Sequence, residues 1–294
     1  MKLRRLKTKN NIFLAPLEEV NDIAFRLLCK KAGAGLTWTP LTSPLSPQKM
    51  ILKDKPVLQL FATSTNGIKK FMKKYNRKVS AWDFNLGCPV PTAKRHGHGA
   101  FLKDLDIIEE ILKTMRENTK KPLFVKIRKS DISYEVLYLA QMYCDAIIIH
   151  PRTIGQMYSG EPDIKWAKEF KKISKIPVIF SGNIDEKNVT SFLNDFDGVM
   201  IGRKAIGDPN IFSRILEQKE KIEFKDYLNL ADKYKLRFRQ IKFQAMQFSK
   251  GEKKSRSKRA KMVYAKDRKE LEDIFYDKQG SYYESKIKAA VSKY

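Results

Sequence analysis

Cys88 lies in Asn85-Leu86-Gly87-Cys88-Pro89, a loop that closes an apolar run. A thiol there could attack as a nucleophile or hand over a proton, and a buried structural cysteine is the plain alternative. Cys29, within Phe25-Arg26-Leu27-Leu28-Cys29, and Cys144, just before an apolar run, read as small core residues. Lys126 interrupts Phe124-Val125-Lys126-Ile127. An ammonium turned inward there needs an anionic partner, such as a ring that gains negative charge on reduction, which Gln59 could also hydrogen-bond; turned outward, it would reach solvent between helices. His150 ends another run, where a lone histidine is more often a satisfied structural group than a ligand. His96 and His98 form an H-x-H pair without a carboxylate or cysteine companion, so the expectation is a loop and no metal.

Two further turns have the composition of an anion cradle. Ser181-Gly182-Asn183 and Gly202-Arg203 combine glycines, which let backbone approach a phosphate closely, with a guanidinium fork. Either alone reads equally well as a helix-entry turn. Ala15-Pro16-Leu17, Arg128 and His150-Pro151-Arg152 complete a set of polar or conformationally special residues, each at the end of an apolar run.

The runs themselves are Ile12 to Pro16, Leu36 to Pro40, Val57 to Phe61, Ala81 to Gly87, Leu123 to Arg128, Ala146 to His150, Val178 to Gly182 and Val199 to Gly202. Between most of them lie amphipathic patterns, such as Asp104-Leu105 through Met115 and Glu186 through Leu193. Near-continuous apolar strands alternating with helices specify a parallel sheet covered on both faces. Eight units favour a (β/α)8 TIM barrel, whose active site is assembled at the C-terminal strand ends, over an open doubly wound sheet. After Phe212 the alternation stops and the chain reads as helices, with Tyr227, Tyr234, Phe238 and Phe243 spaced along them. The expected division is a barrel over residues 1–216 and a smaller all-helical domain over 217–294.

The chain has 294 residues, with 59 Lys and Arg against 33 Asp and Glu, a formal charge of +26 that solubility does not require. This charge predicts a polyanionic partner without choosing among RNA, DNA and an acidic membrane. Residues 231–262 hold twelve of the basic side chains, among them Arg256, Lys258 and Arg259, and suit a phosphate backbone. Three scattered cysteines exclude a disulfide framework and fit a reducing compartment. The basic N-terminus lacks a signal-peptide core and no segment could span a bilayer, so a cytoplasmic chain without a membrane partner is expected.

Over about residues 11–215 the chain resembles the tRNA-dihydrouridine synthase family. The matching segments are LAPLEEVNDIAFR, PVLQLFA, DFNLGCPVPTAKRHGHGAFLKD, VKIR, IIIHPRT, PVIFSGNI and GVMIGRKAIGDPNIF, in that order. The resemblance implies an FMN barrel in which NADPH, or NADH, reduces the flavin, which then gives hydride to C6 of a flipped-out uracil in tRNA. Cys88 would protonate C5. Pro16, Leu17, Gln59, Lys126 and His150 would lie against the flavin, and Ser181, Gly182, Asn183, Gly202 and Arg203 would hold its phosphate. Lys94, Arg95 and Arg152 would grip the target nucleotide. Ser181-Gly182-Asn183 departs from the family's usual Asn-Gly-Asp, as do Leu17 from its usual Met and Glu18-Glu19 from its small residues. Two other readings stay open. An FMN-barrel dehydrogenase of a small pyrimidine, of dihydroorotate type, shares the strand-end residues but leaves the charge unexplained; a non-catalytic tRNA-binding protein would have no use for Cys88 and Lys126.

Overall fold

The eight apolar runs become eight parallel strands in the computed structural model, which describes residues 2–3, 6–251 and 255–277. They are β1 (Ile12–Leu14), β2 (Leu36–Thr37), β3 (Val57–Leu60), β4 (Ala81–Leu86), β5 (Leu123–Arg128), β6 (Ala146–His150), β7 (Val178–Ser181) and β8 (Gly198–Ile201). Neighbours pair in sequence order, and β8 returns to β1 with Met200 beside Phe13. Closure between β2 and β3 rests on two isolated bridges, Trp38 with Val57 and Thr42 with Leu60. The result is a TIM barrel, as the count of runs implied.

Helices cover it: α1 (Ile23–Lys31), α2 (Ile68–Tyr75), the short α3 (Pro91–Arg95), α4 (Leu105–Glu117), α5 (Ser133–Tyr143), α6 (Ile164–Ile173), α7 (Val189–Asp195) and α8 (Ile211–Ile215). Asp22, Asp104 and Asp163 cap α1, α4 and α6 by accepting the backbone N–H three residues on, at 2.9–3.1 Å. The link from β2 to β3 carries no helix. It is instead pinned by Arg26 of α1, whose guanidinium donates to both Asp54 oxygens (2.7 and 2.9 Å) and to the Ile51 carbonyl (2.8 Å).

Strand alternation explains what faces the barrel axis. Val57, Ala81, Phe124, Ile148 and Ile179 belong to the interior apolar cluster. Two residues further along the same strands stand Gln59, Asp83, Lys126, His150 and Ser181, so the interior changes from apolar to polar towards the C-terminal ends. A short antiparallel hairpin, Lys2–Leu3 with Leu6–Lys7, sends Leu3 and Leu6 into the apolar part.

The described residues fall into two compact units: the first runs to Ala205 and takes in Pro209–Ile222, and the second joins Ile206–Asp208 to residues from Glu223 onward. The second consists of α9 (Phe224–Lys233), α10 (Phe238–Phe248), α11 (Ser255–Tyr264) and α12 (Arg268–Phe275). Its core is aromatic, with Phe224 against Phe275 at 4.3 Å and Phe248 at 5.5 Å between ring centroids. Residues 278–294 of the expected helical domain, and 252–254 of its basic run, lie outside the described residues.

Candidate active site

A cavity of about 700 Å³ opens over the C-terminal strand ends, within the size range of cofactor pockets. Pro16, Leu17, Gln59, Cys88, Lys126, His150, Ser181, Gly182, Asn183, Gly202 and Arg203 all line it. The structure therefore gathers every residue expected at the ring and phosphate of a bound ligand, together with the candidate acid, around one space.

Lys126 faces the cavity as an inward lysine. Burial, and secondarily the Arg128 charge, lower its pKa from the ordinary lysine value, while Asp83 and Cys88 oppose the shift. Asp83 is itself fully buried, and loss of solvation pushes its carboxyl well above the usual carboxylate range. Its Oδ2 receives Trp38 Nε1–H at 2.8 Å and Gln59 Nε2–H at 2.7 Å, while Oδ1 has no hydrogen-bond partner. A cation in the same interior favours the ionised form of Asp83, as the Lys126 charge does by opposing that upward shift.

His150 is 8% exposed, and Arg152 Nη1 lies 3.2 Å from its Nε2. Because the guanidinium only donates, Nε2 accepts and the ring proton sits on Nδ1. Burial, then the charges of Lys126, Arg128, Arg152 and Arg203, push the imidazole down to about 2. His150 is neutral throughout the physiological range and lines the cavity as an uncharged ring rather than an acid.

Cys88 is half-buried at the cavity wall, whereas Cys29 and Cys144 are buried. Burial drives the Cys144 thiol far above its ordinary value, in keeping with an inert core residue. The loop that carries Cys88 is held from several sides. Asn85 Oδ1 accepts from the Gly87 and Cys88 backbone N–H groups at 3.1 and 2.9 Å; Ala100 N–H donates to the Cys88 carbonyl at 3.1 Å; Arg128 Nε donates to the Gly87 carbonyl at 3.3 Å.

At the turn after β7, Gly182 has φ +152, and a Cβ there would meet Pro162, Arg152 and His150 at 3.4–3.5 Å. Asn183 Oδ1 accepts from Arg203 Nη2 at 3.0 Å, and Asn183 Nδ2 donates to Glu161 at 3.0 Å. Arg203 is exposed at the rim, with its guanidinium 5.3 Å from the Tyr158 ring centroid.

Arg152 requires a correction. Expected beside the pocket as a grip on nucleotide, it is fully buried: Nε donates to the Ser159 and Gly160 carbonyls (both 3.2 Å) and Nη2 to Gly160 (2.7 Å). Its charge is spent on backbone. Arg128 Nη1 likewise donates to the Thr153 and Met157 carbonyls (3.2 and 2.8 Å), and Arg203 Nη1 to Tyr158 (3.3 Å). Three arginines thus capture five carbonyls of the loop between β6 and α6.

Lys94 and Arg95 are exposed on α3. In the second unit, taken by itself, Arg256 of α11 is exposed and Arg259 partly so. Lys258 is only 12% exposed, with Nζ donating to the Phe275 carbonyl at 3.0 Å and 3.5 Å from Asp277. It ties α11 to the end of α12. His98, the inner member of the H-x-H pair, stacks on Phe61 at 4.0 Å. Among the described residues, no group of three His, Cys, Asp or Glu side chains could hold a metal ion, and no helix is long and apolar enough to cross a membrane.

Asp83, Asn85 and Tyr158 were not singled out from sequence. The first two were within reach: Asp83 interrupts Ala81-Trp82-Asp83-Phe84 as plainly as Lys126 interrupts its own run.

The sequence model for dihydrouridine synthase matches residues 13–287. The chain belongs to the dihydrouridine synthase family. Relatives of this family member include a protein of Helicobacter pylori named a probable tRNA-dihydrouridine synthase, 35% identical over 74% of this chain and 73% of that protein. Another, from Aquifex aeolicus and named likewise, is 29% identical over 90% of this chain and 94% of its own. The tRNA-dihydrouridine synthase B of Vibrio vulnificus is 30% identical over 73% and 74%. Among solved structures, an old yellow enzyme homologue from Zymomonas mobilis superposes with a TM-score of 0.57 at 11% identity, covering 77% of this chain and 94% of its own. Morphinone reductase in complex with tetrahydroNAD gives 0.54 at 12%, covering 77% and 92%. At such identities these two likenesses concern the barrel alone.

Proposed function

We propose that this dihydrouridine synthase family member reduces the C5–C6 double bond of uridine in tRNA, with FMN at the strand ends and NADPH as reductant. The observation that carries the reading is the convergence of Cys88, Lys126 and the two Gly-containing turns on one cavity, in a chain whose relatives bear that name.

The residues present suit a flavin mononucleotide. Lys126 supplies a cation for the edge of a ring that becomes electron-rich, and Gln59 and neutral His150 supply hydrogen-bonding groups beside it. Pro16 and Leu17 give an apolar wall. Ser181 to Asn183 and Gly202 with Arg203 offer backbone and a guanidinium to a phosphate. Bound there, the flavin would supply the hydride for C6 of the uracil. Cys88 would hand its thiol proton to C5, the step that a general acid accelerates.

A uracil stacked in tRNA cannot enter such a cavity, so the nucleotide must be drawn out of the stack and the surrounding RNA held by its phosphates. Lys94, Arg95 and Arg256, all exposed, and the partly exposed Arg259 are the cations assigned to that contact. A small free pyrimidine would need none of them.

The test is to purify the protein, record its visible spectrum, and map dihydrouridine in tRNA from a strain lacking the enzyme, before and after adding protein and NADPH. A flavin spectrum and restored dihydrouridine are expected. Absence of dihydrouridine with flavin bound would return the small-pyrimidine reading, and tRNA binding without flavin the non-catalytic one.

A further inference from the structure

A line of buried polar side chains runs from the barrel interior to the Cys88 loop. Trp38 Nε1–H and Gln59 Nε2–H both donate to Asp83 Oδ2, at 2.8 and 2.7 Å. Gln59 Oε1 accepts from Asn85 Nδ2 at 2.8 Å, and Asn85 Oδ1 accepts from the backbone N–H groups of Gly87 and Cys88. Trp38, Gln59 and Asp83 are 0% exposed and Asn85 is 6% exposed, so these groups find their partners in one another.

A carboxamide has one donating and one accepting end, and half a turn exchanges them. Here neither amide is free to turn. The Trp38 indole only donates and a carboxylate oxygen accepts, so Asp83 demands the NH2 end of Gln59. That leaves the Gln59 oxygen towards Asn85, which must answer with its own NH2. The Asn85 oxygen is thereby delivered to two backbone donors. Reversing either amide alone, or both together, sets donor against donor or acceptor against acceptor at one or more joints.

We propose that Asp83, Gln59 and Asn85 form a positioning relay for Cys88, in which Asp83 at one end and the two backbone N–H groups at the other hold the direction of both amides and Asn85 fixes where the thiol stands in the cavity. Cys88 itself follows the end of β4 with no strand to hold it, between a glycine and a proline. Its N–H and that of Gly87 turn inward onto one oxygen, which bends the chain sharply out of the strand and brings Cys88 to the cavity wall. The catalytic meaning of the relay rests on the proton-donor role given to Cys88 above, while the seating of the loop does not.

The experiment measures the rate at which iodoacetamide alkylates Cys88, followed by mass spectrometry of its peptide, alongside FMN content and dihydrouridine formation. Asn85→Ala removes the accepting oxygen. Asp83→Leu removes the anchor at the interior end, whereas Asp83→Asn can place its amide oxygen under Trp38 and Gln59 and keep it. Asn85→Ala and Asp83→Leu should raise the alkylation rate about fivefold or more, and Asp83→Asn should hold it within about twofold of the parent. Asn85→Ala should also lower dihydrouridine formation roughly 10²-fold at unchanged FMN content, the scale expected of a misplaced reacting group. Parent-like alkylation in Asn85→Ala overturns the proposal, as does an equal rate in the two Asp83 variants. If Asp83→Leu fails to fold, Asn85→Ala decides alone. Should the parent form no dihydrouridine, the proposed function fails and the alkylation rates still judge the relay; should the parent be active and the alkylation rates coincide, only the relay fails.

Discussion

A Cβ added to Gly99 would lie 2.8 Å from the carbonyl oxygen of Cys88 and 2.9 Å from its Cβ. Gly99 also has φ +63, so a side chain there is strained as well as crowded. Gly99→Ala should therefore push the Cys88 loop out of place and cost roughly 1–3 kcal/mol of stability. Thermal unfolding reads the second effect and dihydrouridine formation the first. A variant with parent stability and turnover would mean that the loop yields freely.

Cys88→Ala should retain fold, FMN and tRNA binding, and NADPH should still reduce the flavin. Dihydrouridine formation should fall by about 10²- to 10⁴-fold, the usual worth of a general acid. Cys29→Ala and Cys144→Ala, both in the core, should cost stability rather than turnover. Product formation by Cys88→Ala at the parent rate would move the proton source elsewhere, and neutral His150 would be a poor replacement.

Stability should depend on pH through His150. Its folded pKa is pushed down to about 2, against about 6.5 for an unperturbed histidine. Between those values the unfolded chain takes up a proton that the folded chain refuses, so stability falls as pH drops below about 6.5. The slope from this one group is at most about 1.4 kcal/mol per pH unit. Urea midpoints at pH 7.5 and 5.5 should differ less in His150→Gln than in the parent. Equal differences would place the burden on other groups.

The link between β2 and β3 depends on a buried ion pair. Arg26 and Asp54 have side chains 3% and 0% exposed, and Asp54→Ala would leave a buried guanidinium without its counter-charge, with the Asn21 and Ile51 carbonyls still accepting from it. A loss of about 3–5 kcal/mol is expected, measurable by denaturant unfolding. A loss below about 1 kcal/mol would show that water reaches Arg26 easily.

Arg256→Glu combined with Arg259→Glu should weaken tRNA binding and flatten its salt dependence, each lost phosphate contact lowering the logarithmic slope by about 0.7–0.9. Lys258→Glu should behave differently, because this lysine holds the Phe275 carbonyl. It should lower the stability of the helical unit first. Unchanged affinity and slope in the double variant would leave the basic run as a solvated face.

The strands were legible because barrel strands are buried on both faces and so read as unbroken apolar runs. The site was legible where a polar residue interrupts or ends such a run, as Lys126 and His150 do. Arg152 was misread for a reason that spacing cannot reveal: its partners are carbonyls seven and eight residues along a loop, and only the folded loop shows the side chain enclosed. Lys258 hides its tie for the same reason, its acceptor lying seventeen residues away. Asp83 and Asn85 carried the signal that found Lys126, but their meaning lies in a hydrogen-bond direction, which depends on Trp38, just past β2, and Gln59 of β3.

The loop from Thr153 to Gly160 is gripped through its main-chain carbonyls by Arg128, Arg152 and Arg203, and the Arg128 and Arg203 guanidinium groups also lie 5.8 and 5.3 Å from the Tyr158 ring centroid. Carbonyl oxygens are the same in every amino acid, so the hydrogen-bonded part of this grip is blind to which residues the loop carries. Side chains of the loop that the arginines do not touch can drift over evolutionary time while the path of the chain stays put, whereas the two ring contacts favour an aromatic residue at Tyr158. The number of residues in the loop cannot drift in the same way, since a single insertion or deletion would offset the carbonyls from three guanidinium groups at once.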